Sequence, residues 1–119
     1  VRTLTRAALT ALLVVAGSLG SLHAQTTTGG LTGVIRDSDG AVVPGATVKA
    51  TATATGTVLM AVSDETGQYV VRGLPVGSYQ VLVELAGFST VQVENVVVRV
   101  NEEVRLDVTL KVGNLTESV

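Results

Sequence analysis

The chain has 119 residues, a formal charge of −2, 46% apolar residues, two prolines and neither cysteine nor tryptophan. That length fits one domain, and the aliphatic content with few prolines excludes a disordered chain. Scattered cations exclude nucleic acid as a partner, because phosphate binding needs a clustered basic surface. Without cysteine, stability must come from burial and sheet hydrogen bonds.

In chain order, the first segment is "VRTLTRAALTALLVVAGSLGSLHAQ", with Arg2 and Arg6 ahead of an apolar run from Ala7 to Ala16 and small residues after it. This layout predicts a helical secretory signal peptide over residues 1–24, cleaved between Ala24 and Gln25, so that the protein is exported. Cleavage removes two of the eight basic residues and none of the ten acidic ones, leaving a mature charge of −4. No later stretch is long and apolar enough to span a membrane as a helix, so the mature domain is expected not to cross one.

After a polar leader over residues 25–29, hydrophobicity alternates with period two. Leu31 to Asp37 predicts a strand stopped by the turn "DSDG". Pro44-Gly45 predicts another turn, after which Ala46, Val48 and Ala50 share one face and Thr47, Lys49 and Thr51 the other. "TVLMAVSD", "QYVVRGL", "SYQVLVELAG", "FSTVQVENVVVRV" and "EEVRLDVTLKV" complete about seven strands. In the last, Val104, Leu106, Val108 and Leu110 alternate with Arg105, Asp107, Thr109 and Lys111. Gly40, Gly56 and Gly67 sit where tight turns need a positive backbone angle, and Pro75 with Gly77 reverses the chain. Tyr69 and Tyr79 head two strands and are expected to point inward, each phenol hydrogen-bonding at the rim. Within "VQVENVVVRV", Val96, Val97, Val98 and Val100 are expected to form a bulge or bend serving both core layers, rather than an edge that pairs with another chain. Short strands at regular spacing predict an antiparallel sandwich or barrel.

Reactive residues are scarce. The one histidine, His23, lies in the predicted leader, so the mature chain cannot build the usual nucleophilic triads or zinc sites, and no catalytic residue or cofactor is expected. Asp37 and Asp39 with Gly40 resemble the start of a calcium loop, but "AVVPGA" lacks the further ligands and a plain turn is the better reading. Asp64 with Glu65, and Glu102 with Glu103, are read as solvated turn charges rather than a glycosidase pair, and no metal is expected.

The run "GLTGVIRDSDGAVVPGATVKA", then "DETGQYVVRGLPVGSYQVLVELAGF", then "VRLDVTLKVG" resembles the carboxypeptidase regulatory-like domain over residues 30–112, with a tail over 113–119. The resemblance implies a seven-stranded antiparallel Greek-key sandwich of the prealbumin type and no activity of its own. With a signal peptide directly ahead, the domain is similar to the N-terminal module of TonB-dependent outer-membrane receptors. That implies a periplasmic or outer-membrane location, and as partner a following plug and barrel or another envelope protein. The same residues also resemble adhesin repeats crosslinked through a lysine, a position filled here by Ile35 and Arg36. A free-standing carbohydrate-binding or adhesin-like module is the alternative, and it is disfavoured by the lack of tryptophan.

Overall fold

A computed structural model describes residues 27–113 in full and the backbone of 116–118. The expected signal peptide helix lies outside the described residues. The strands are β1 (Thr28–Asp37), β2 (Thr47–Ala52), β3 (Val58–Val62), β4 (Gln68–Pro75), β5 (Gly77–Glu84), β6 (Thr90–Val98), β7 (Glu103–Arg105), β8 (Val108–Leu110) and β9 (Thr116–Ser118). They form two sheets, one ordered β4-β1-β7 with β8 also on β1, the other ordered β3-β2-β5-β6-β9.

The all-β sandwich agrees with the alternation, with two corrections. There are more than seven strands: the predicted final strand is broken into β7 and β8, and β9 is additional, which gives eight if the broken strand is counted once. The sheets are also not wholly antiparallel, because β7 and β8 run parallel to β1 and β9 runs parallel to β6. The direction of β7 follows from the chain path. Beginning with β4, which is antiparallel to β1, the chain reverses through β5 and β6 before it returns beside β1, and so arrives pointing the same way.

Inward residues of both sheets make one core of Leu31, Ile35, Val48, Ala50, Val71, Leu74, Val81, Val83, Val98 and Leu110, closed by Tyr69 and Tyr79. The face expected for Ala46, Val48 and Ala50 is buried as read. Each phenol reaches a rim carbonyl, Tyr69 donating to the Leu106 oxygen and Tyr79 to the Pro75 oxygen. Buried Ser63 clips the loop before β2 to the end of β3, its Oγ accepting from the Ala46 N–H at 2.9 Å and donating to the Val43 carbonyl at 2.8 Å. Without those partners the hydroxyl would carry an uncompensated desolvation penalty.

In β6, residues 94 and 95 oppose the single residue 80, and Asn95 adopts φ 58. The bulge expected among Val96 to Val100 lies instead just before them, and of those valines only Val96 and Val98 enter the core while Val97 and Val100 stay exposed. The bulge shifts which residues face inward by one position, so the valine run cannot place all four side chains inside.

The break between β7 and β8 has a specific cause. Both pieces pair with β1 at one register, Thr32 with Arg105 and Ile35 with Val108, yet Leu106 and Asp107 leave the ladder. The Leu106 carbonyl moves in over Gly33, where a Cβ would lie 1.9 Å from that oxygen. Leu106 N–H donates to the Thr32 carbonyl at 2.8 Å, and the Val34 N–H donates to Asp107 Oδ1 at 2.9 Å. Gly33→Ala is therefore expected to cost more than about 3 kcal/mol in urea unfolding, because backbone must move. Gly40→Ala, at a positive φ but in open space, should cost only about 1 kcal/mol.

Candidate interaction surface

The polar residues singled out in the sequence resolve into turn chemistry. Asp37 Oδ1 accepts from the N–H of Asp39 at 2.9 Å and of Ala41 at 3.0 Å, which closes the "DSDG" turn and occupies the carboxylate oxygen a cation would need. Asp64 Oδ1 accepts from the Thr66 hydroxyl at 2.6 Å and from the N–H of Thr66 and Gln68 at 2.9 and 3.0 Å. Glu102 faces Arg99 at 3.6 Å on the surface, and Glu103 begins β7 beside Gly30. The structure brings no two of these pairs together, and among the described residues no group of three His, Cys, Asp or Glu is placed to hold a metal ion. At the adhesin crosslink position Ile35 is a core residue, and Arg36 donates to the Gly40 carbonyl at 3.1 Å.

Hydrogen bonding leaves clear electrostatic marks. The Thr66 hydroxyl, chiefly, holds the Asp64 carboxyl below its ordinary value of 3.8. For Asp107 the chief cause of a lowered value is the Val34 N–H, with Arg105 assisting. Burial, with a smaller contribution from the Asp107 charge, pushes the Tyr69 phenol well up. It therefore stays protonated at physiological pH and donates to the Leu106 carbonyl.

The aromatic inventory bears on sugar recognition. Tyr69 and Tyr79 are each 1% exposed and offer no open face, and Phe88 is half-buried against the core. Shallow hollows open on the surface. One of about 330 Å³ is lined by Gly29, Gly30, Arg72, Gly73 and Glu102, and one of about 410 Å³ by Thr47, Glu84 and Thr90.

The surface feature that stands out is the edge strand β3. Val58, Met60 and Val62 are 43%, 66% and 61% exposed, all on the outward face. The bonds flanking β3 fix which backbone groups face β2: Ala52 N–H donates to the Thr57 carbonyl and Ser63 N–H to the Ala46 carbonyl. Antiparallel alternation then assigns Leu59 and Ala61 to the β2 ladder and turns the N–H and C=O of Val58, Met60 and Val62 outward along the edge. Sequence reasoning missed this strand as a surface, because an uncharged run such as "TVLMAV" reads as a strand covered on both faces. Only the sheet order reveals the open side.

The carboxypeptidase regulatory-like domain family matches residues 30–111, and the chain belongs to that family. Among curated proteins none matches it. Among solved structures it is similar to a chain of a type II cohesin-X-dockerin complex from Acetivibrio cellulolyticus, at 26% identity and TM-score 0.58, covering 72% of this chain and 59% of that one. It is also similar to a carbohydrate-binding candidate from Bacteroides uniformis, at 21% identity and TM-score 0.58 over 71% of this chain and 41% of that one. Catechol 1,2-dioxygenase from Pseudomonas arvilla shares the sandwich at 12% identity and TM-score 0.58, over 76% of this chain and 54% of that one. The latter two likenesses show the fold alone. The chain spans between 41% and 59% of the length of these three.

Because the folded carboxyls of Asp64 and Asp107 lie below 3.8, each stabilises the fold fully above that value and loses its contribution as pH falls through the folded pKa. Thermal midpoints measured from pH about 5 down to about 2 should fall for the native sequence, and fall less steeply for Asp107→Asn. Equal slopes would remove Asp107 from the account of acid sensitivity.

Proposed function

We propose that the protein is an exported, non-catalytic β-sandwich module that precedes the plug and barrel of a TonB-dependent receptor-like protein and presents rigid sheet surfaces to envelope partners. The observation that carries this role is the commitment of its carboxylates and phenols to turns and rim carbonyls, in a domain of the regulatory-like family. Such a module acts by shape and by exposed backbone, not by bond making. Its likeness to a chain of the cohesin-X-dockerin complex, itself a protein-protein assembly, supports protein contact over chemistry. The signal-peptide layout of residues 1–24 supports the periplasmic or outer-membrane location.

A free-standing glycan-binding module is the second reading, supported by the Bacteroides uniformis likeness and opposed by the burial of Tyr69 and Tyr79. Expression in a bacterium with two membranes is expected to yield a mature protein starting at Gln25 in the envelope fraction, read by N-terminal sequencing. Genomic sequence beyond the Val119 codon should run on into plug and barrel strands. An uncleaved cytoplasmic protein would defeat the exported role, and a stop codon with saturable glycan binding would favour the second reading.

A further inference from the structure

We propose that β3 is a self-association edge, on which a second copy of this chain pairs antiparallel about a two-fold axis at Met60. The two sheets have four flanks, and the other three are blunted in ways that natural sheets use against edge pairing. β4 carries exposed Arg72, a positive φ at Gly73 and terminal Pro75. The β7–β8 flank is interrupted at Leu106 and Asp107 and carries Glu103 and Arg105. On the far side of the second sheet the outer strand is the three-residue β9, which pairs with β6 only along Thr90 to Gln92, and beyond it β6 carries Glu94 and the bulge at Asn95. Only β3, among the described residues, is continuous, uncharged and open.

The strand is self-complementary about Met60. A two-fold there sets Val58 opposite Val62 of the second copy and Met60 opposite Met60, three pairs whose outward backbone groups would each exchange two hydrogen bonds. Between them, Leu59 would oppose Ala61, a large side chain beside a small one. Both are only half-buried in one copy and would be covered further by the other. Charge selects the orientation. Antiparallel pairing lays the acidic Asp64-Glu65 end of one copy beside the neutral Thr53–Thr57 turn of the other, whereas parallel pairing would bring four carboxylates together. A five-residue edge covers less than the roughly 1,000 Å² of a stable interface, so the dimer is concentration-dependent. The pairing needs no downstream domain.

Sedimentation equilibrium on residues 25–119, which contain the whole core, from about 10 μM to about 1 mM should show a reversible rise in mass toward a dimer. Met60→Lys and Met60→Glu should each weaken association about tenfold or more through like-charge contact across the two-fold. Both are expected to stay folded, since Met60 is 66% exposed and its backbone groups point away from β2, with Met60→Lys melting below Met60→Glu because residue 60 lies opposite Lys49 on the outer face. An equimolar mixture of the two variants should regain the mass rise, because residue 60 meets residue 60. Val76→Lys, at an exposed valine outside β3, should leave association unchanged. A wild-type protein that is monomeric at about 1 mM, or variants whose mixture associates no better than either alone, would overturn the proposal.

Discussion

The sandwich depends on the absence of one side chain. Because Gly33 has no Cβ, the Leu106 carbonyl can settle against β1, and from that contact follow the break between β7 and β8, the phenol bond of Tyr69 and the use of Asp107 as a backbone acceptor. These bonds join three strands, β1, β4 and the returning β7–β8, across one sheet. A backbone N–H at Val34 that regular pairing would satisfy with a carbonyl is satisfied by a carboxylate instead, which places a titratable group inside the sheet's hydrogen-bond accounting. The second sheet packs on the frame so formed, with Tyr79 closing the opposite rim through Pro75.

Much of this was legible in the chain. The alternation of Ala46, Val48 and Ala50 names the buried face correctly, because period two is all a half-buried strand has to encode. Gly40, Gly56 and Gly67 adopt the positive angles their turns suggest. What could not be read was pairing. The clean alternation from Val104 to Leu110 predicts an unbroken strand, yet the interruption is imposed from outside by Gly33 and Tyr69, which lie far away in sequence. Likewise, nothing local distinguishes a covered apolar strand from β3, whose outer side is open because of its place in the sheet order.

Function was legible chiefly as exclusion, and the candidate surface hardly at all. Asp37 and Asp64 read as turn carboxylates and are turn carboxylates, each accepting from nearby N–H groups, while Asp39 contributes its own N–H to the Asp37 turn. Away from these turns, β3 presents open backbone groups together with exposed aliphatic side chains. Where a chain pairs on an open sheet edge, hydrogen bonds supply affinity and alternate side chains supply selectivity.

The central claim, that the Gly33 contact closes the fold, is tested most directly by native-state hydrogen exchange at the Leu106 amide, which donates to the Thr32 carbonyl. If that contact is integral to the fold, Leu106 exchanges only through global unfolding, with the same free energy and denaturant slope as core amides such as Val81 and Val83. Exchange of Leu106 through a small local opening, while Val81 and Val83 stay protected, would show that the β7–β8 junction is a loosely attached flank and would contradict the account.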